Sequence, residues 1–153
     1  MYLTIHAVSG ILIGGYFKNS AASFVLGFTS HLLLDMLPHH DGNISFKIKS
    51  FNKKIIKSIT PFYFDVCLGI IIAAILFTNN NQFVTMPIIW GMIGAILPDI
   101  LYALSLLMPK NNLLKSINDF HNFVHYSPKK PISVFTGHLS QILILAIIMN
   151  LII

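Results

Sequence analysis

Apolar residues fall along this chain in five long stretches, roughly 1–17, 20–37, 62–78, 84–108 and 132–153, with polar residues confined to the connections. Each stretch approaches the roughly 17 to 25 residues that a membrane-crossing helix needs. Between the second and third, Ile44, Ile48, Phe51, Ile55 and Ile59 recur at helical spacing while Lys47, Lys49, Lys53, Lys54 and Lys57 fall off that stripe. This pattern predicts an amphipathic helix over 44–59 lying in the membrane interface. Asn79 to Gln82 read as a short polar turn, and Pro109 to Asn112 open a connection with a short helix over 113–125 before Pro128 and Pro131. The predicted fold class is all-α: a polytopic bundle of about five transmembrane helices with interfacial helices, forming one domain over 1–153 without internal repeats.

Composition strengthens this picture. Of 153 residues, 55% are hydrophobic and only 10% charged, with a mean hydropathy of +0.75, which is too apolar for an ordinary soluble domain. The net charge of +5 comes from ten lysines without one arginine, and all five acids are aspartates. These lysines sit between greasy segments, so anionic lipid headgroups are the expected partner and no nucleic acid is expected. Cys67, the sole cysteine, excludes an intrachain disulfide. No positive charge precedes the first apolar stretch, so that stretch reads as a retained helix and not a cleaved signal. If the segments alternate, connections 38–61 and 109–131 share one side and carry nine of the ten lysines. The positive-inside rule then gives a multi-pass protein of the cell (inner) membrane with a cytoplasmic N-terminus.

The same threading brings every histidine and aspartate to the lysine-rich side. Ser30 to Gly42 is the densest stretch, holding His31, Asp35, His39, His40 and Asp41. His31 and Asp35 stand four apart, which places them on one helix face with Cβ atoms about 6 Å apart. Pro38 should end the helix and throw His39, His40 and Asp41 into a turn beside that pair. Imidazole and carboxylate together suit a divalent metal, zinc foremost and manganese as an alternative. His6, Asp99, His121 and His125 reach the same side, and Asp41 and Asp65 are candidate bases or partners that orient a ligand imidazole. Taken singly each has a plain explanation: a histidine at a membrane interface can be a snorkelling side chain, and Asp65 can cap a helix. His40 and Asp119 are set aside as a turn residue and a solvated helix residue. Small residues ride one turn from the polar ones, as in His6, Gly10, Gly14 and in Ser23, Gly27, His31, so the ionisable faces should meet in the bundle interior.

In His6-Ala-Val-Ser-Gly, Ser30-His-Leu-Leu-Leu-Asp, Leu97-Pro-Asp and His121-Asn-Phe-Val-His, the chain resembles the bacterial and archaeal membrane-bound metal-dependent hydrolases described as YdjM-like or YbcI-like. That group is thought to be distantly similar to zinc-dependent phospholipase C and P1-type nucleases. The resemblance spans residues 6 to 125 and implies phosphoester hydrolysis on a phospholipid-like substrate. His6, His31, Asp35, Asp99, His121 and His125 would then be metal ligands. Here Leu97-Pro-Asp follows the Ser30 to Asp35 element instead of preceding it, and the group's His-Arg pair is missing. The rival expectation is a transporter or channel for metal ions or protons, which would need polar groups along a path through both leaflets.

Overall fold

The computed structural model describes residues 1–40, 53–79, 85–125 and 132–152. Among these the chain forms six helices and no strand: α1 (Leu3–Phe17), α2 (Ser20–Asp35), α3 (Lys53–Asn79), α4 (Met86–Leu107), α5 (Asn112–Val124) and α6 (Val134–Ile152). The all-helical expectation holds, as does the end of α2 just before Pro38. The predicted interfacial helix is not separate. Its residues 53–59 form the start of α3, which runs on unbroken into the third apolar stretch, and 44–52 lie outside the described residues. The turn over 80–82, and the segment around Pro128 and Pro131, also lie outside them.

Two helical stretches, Met86–Ser105 and Val134–Ile152, are long and apolar enough to cross a membrane, where the sequence predicts five. The difference has local causes. α1 has 15 residues and α2 has 16, about 23 Å of helix against a hydrocarbon core of roughly 30 Å. α2 also carries Ser20, Ser23, Thr29, Ser30, His31 and Asp35, which dilute its hydropathy. The turn between the two helices uses two residues: Lys18 takes the left-handed conformation that ends α1, and the Asn19 side chain accepts from Ala22 N–H to start α2.

α1, α2 and α4 pack against one another as the centre of the bundle, while α3 and α6 lie against α1, and α5 against α4. Glycine permits this centre. A β-carbon on Gly10 or on Gly27 would run into the Gly91 carbonyl, and one on Gly91 would run into the Gly10 carbonyl. Such backbone approach is the main source of helix cohesion where expelling water supplies none. Ser9 and Ser30 hydroxyls meet across the α1–α2 contact at 3.2 Å.

The polarity of the bundle is inverted relative to a soluble core. Of the seven largest fully buried side chains, His6, His31, Gln141, Asp35 and Ser23 are polar. Large apolar side chains point outward instead, among them Phe64 and Ile71 on α3 and Phe135, Ile142 and Leu151 on α6. An outer surface of this kind marks faces that meet a membrane or another protein.

Because Gly10 and Gly27 both abut α4, leucine at either position should force the helices apart. We expect Gly10→Leu and Gly27→Leu each to cost on the order of 1–3 kcal/mol or more and to lower the unfolding temperature in detergent. Val25→Leu, on the exposed side of α2, should leave it unchanged. Equal tolerance of all three would show that the close helix contact is not what holds the centre together.

Candidate metal centre

Four elements bring their ionisable groups to one end of the bundle. His6 comes from the first turn of α1, His31 and Asp35 from the last turn of α2, Asp99 from the second half of α4, and His121 from the end of α5. His39 folds back beyond Pro38 and is buried, as the sequence predicts. His125 lies where α5 stops.

Asp35 is the hub. Its side chain is 2% exposed, and its two oxygens face three imidazoles: His6 Nε2 at 3.2 Å from Oδ1, with His31 Nε2 at 3.1 Å and His121 Nε2 at 3.3 Å from Oδ2. The nitrogens of His31 and His121 stand 3.3 Å from each other. Asp99, 30% exposed, lies 3.8 Å from His31 Nε2 and 3.9 Å from His121 Nε2. Tetrahedral zinc with ligand bonds of 2.0–2.1 Å separates its donor atoms by about 3.3 Å. His31, Asp35, Asp99 and His121 therefore form a group whose spacing can hold a metal ion, and Asp35, His39 and His125 form a second. Asp35 belongs to both, and in the second group the Met1 ammonium lies between it and His39, so an ion held there would have to displace that ammonium.

Hydrogen bonding on the far side of the rings supports this reading. His31 Nδ1 lies 2.7 Å from the Ala95 carbonyl, and His39 Nδ1 lies 2.7 Å from the Leu37 carbonyl. A carbonyl only accepts, so each Nδ1 carries hydrogen, and in a neutral ring Nε2 presents its lone pair toward Asp35. A lone pair 3.1 Å from a carboxylate oxygen is repulsive unless a cation lies between them or the ring gains a proton. Protonating every ring is costly, since His6 and His31 stack with centroids 3.9 Å apart. His6 Nε2 and Asp35 Oδ2 are buried without a hydrogen bond of acceptable geometry, a condition that buried polar atoms rarely sustain. These donor atoms fit a divalent ion.

Other groups support the centre. The Met1 amino group donates to Asp35 Oδ1 at 2.9 Å and to His39 Nε2 at 2.9 Å. His39 Nε2 is also 3.2 Å from His125 Nε2. Tyr102 stacks on His121 with centroids 5.5 Å apart. Gln141, fully buried on α6, accepts from Tyr2 N–H at 2.8 Å and donates to the His40 carbonyl at 3.0 Å. It thereby ties the start of α1 to the turn that carries His39. The sequence offered a signal for Gln141, the one glutamine inside an apolar stretch, but none for what it binds.

Asp65 is placed elsewhere. Its carboxylate accepts from Leu3 N–H at 2.6 Å and Thr4 N–H at 3.3 Å, and Thr4 Oγ1 donates to its carbonyl at 2.7 Å. Asp65 thus caps α1 from a neighbouring helix, satisfying donors that Tyr2 does not reach. Asp41, the other candidate base, lies outside the described residues.

Two substitutions separate these roles. Gln141→Leu leaves Tyr2 N–H and the His40 carbonyl without their partner, at about 1–3 kcal/mol, and should weaken metal retention through His39. Asp65→Asn should cost roughly 0.5–1 kcal/mol by weakening a helix cap while the metal content, read by mass spectrometry, stays at the wild-type level. Loss of metal in Asp65→Asn would place Asp65 in the centre after all.

No protein-family model matches the chain, and neither a curated protein nor a solved structure matches it, so the reading of this centre rests on its own geometry.

Proposed function

We propose that the protein is a membrane-embedded, metal-dependent hydrolase acting on phosphoester substrates of the lipid class. The observation that carries the proposal is the meeting of His6, His31 and His121 around the buried Asp35 carboxylate, with Asp99 at its open edge. His31, Asp35, Asp99 and His121 would hold one zinc or manganese ion, and Asp35, His39 and His125 a second. A divalent ion held there lowers the pKa of water and polarises a phosphoryl oxygen.

The chain's own residues do the rest. The Ala95 and Leu37 carbonyls orient His31 and His39 by fixing which ring nitrogen carries hydrogen. Asp35 supplies negative charge in a site from which the packing of α1, α2 and α4 excludes water. Asp99, partly exposed, marks the side from which substrate reaches the centre.

In this reading α4 and α6 cross the membrane, and α1, α2 and the apolar part of α3 complete a five-helix membrane body. The end carrying the histidines faces the cytoplasm, as the lysine distribution argues. That end lies at headgroup depth, where a phosphoester lipid presents its scissile bond. The transporter alternative lacks support from the opposite end of the bundle, where Ile11, Leu76, Ile88 and Ile148 pack as apolar core.

Purified protein should hydrolyse a phosphoester lipid in mixed micelles, lose that activity to a chelator, and regain it with zinc or manganese. Asp35→Asn, which keeps the shape and removes the charge, should lose at least tenfold in metal affinity, about 1.4 kcal/mol. Affinity should also fall on acidification, because protons then compete for the ligand nitrogens. Activity that survives chelation, or metal flux across sealed vesicles without hydrolysis, would overturn the proposal.

A further inference from the structure

Beside the metal centre a groove of about 450 Å³ runs between α1, α3 and α4. Leu3, Ala7, Val66, Ala73, Met92 and Ile96 are among its walls, and its polar members, Thr4 and Asp65, sit together at one end. There the Asp65 carboxylate is already engaged by α1. The rest of the groove offers a ligand no hydrogen-bonding side chain, so a polar molecule lying along it would leave its own groups unpaired.

Its length narrows the occupant further. The α3 wall extends from Asp65 to Ala74, ten residues spanning about 14 Å of helix. One leaflet of a bilayer has hydrocarbon about 15 Å deep. A single extended alkyl chain matches that length and the apolar lining.

The groove is also aligned with the metal centre. On α4, Met92 and Ile96 stand four apart, and Asp99 follows three residues later on the same face. The wall that would line an alkyl chain therefore leads to the carboxylate at the open edge of the cluster.

We infer that this groove seats one alkyl chain of a lipid whose phosphoester headgroup lies at the Asp35–Asp99 cluster. The headgroup half of the inference rests on the hydrolase reading, and the alkyl-chain half stands without it.

The test uses vesicles containing a phosphatidylethanolamine with a photoreactive diazirine in mid-chain, with the adducts located by peptide mass spectrometry. Adducts should concentrate on Val66, Ala73, Met92 and Ile96. Ala73→Phe, which fills the groove with an apolar side chain, should reduce them roughly tenfold by displacing about two methylenes. Ile71→Phe, at an exposed position of α3, should not. Ile96→Phe fills the same space from the opposite wall and guards against a folding defect in α3. Adducts spread evenly over exposed α3 positions such as Phe64 and Ile71, or unaffected by both filling variants, would overturn the inference, as would crosslinks to a second protein copy. Hydrolysis is read in parallel. Ala73→Phe should raise KM for the long-chain lipid and leave turnover of a short, water-soluble phosphodiester unchanged. Absence of all hydrolysis with the adduct pattern intact would reject the hydrolase reading alone.

Discussion

A carboxylate removed from water at one end of a helix bundle is the constraint from which the rest of this structure follows. Isolated, such a charge would cost far more than the bundle's stability can offset. Asp35 is charge-paired with the Met1 ammonium at 2.9 Å, and three imidazole Nε2 atoms converge on its two oxygens at 3.1–3.3 Å. That convergence in turn requires α1, α2 and α4 to approach closely enough for short side chains to meet, which glycines 10, 27 and 91 permit. The ring orientations are set from outside the cluster, by carbonyls that hold the Nδ1 hydrogens and leave the Nε2 atoms aimed inward. The Met1 ammonium faces Oδ1 of Asp35, while the Nε2 atoms of His31 and His121 stand beside Oδ2 at the spacing of metal ligands.

The two ends of the bundle have different chemistry. One gathers the described histidines, including the pair formed by His40 and His138 with Tyr2 against His138. At the other, Ile11, Leu76, Ile88 and Ile148 pack as apolar core among the described residues. The outward apolar side chains of α3 and α6 complete the contrast, since they set the polar centre inside an apolar shell.

Much of the centre was legible in the sequence because helix periodicity is a local property. The four-residue spacing of His31 and Asp35, the stop at Pro38 and the return of His39 follow from backbone geometry alone. So do the small-residue faces beside His6 and His31. What escaped is what depends on the packing of distant segments. The partners of Gln141 lie about a hundred or more residues away, at Tyr2 and His40. Asp65 was placed among candidate bases because it shares an end with the cluster, yet the first turn of α1 lacks a cap of its own and claims that carboxylate. The count of crossing segments was overread for a similar reason. Apolar stretches of this length were taken as crossings, whereas α1 and α2 form only 15 and 16 residues of helix and α2 carries polar side chains along its length.

The claim on which everything else depends is that these histidines and aspartates hold a metal ion, and X-ray absorption spectroscopy of the purified, zinc-loaded protein tests it most directly. The account predicts zinc at one or two equivalents, bound by nitrogen and oxygen at about 2.0–2.1 Å with imidazole scattering beyond. Zinc that is absent from the purified protein and fails to bind on addition would contradict it, as would sulfur scattering at about 2.3 Å from Cys67.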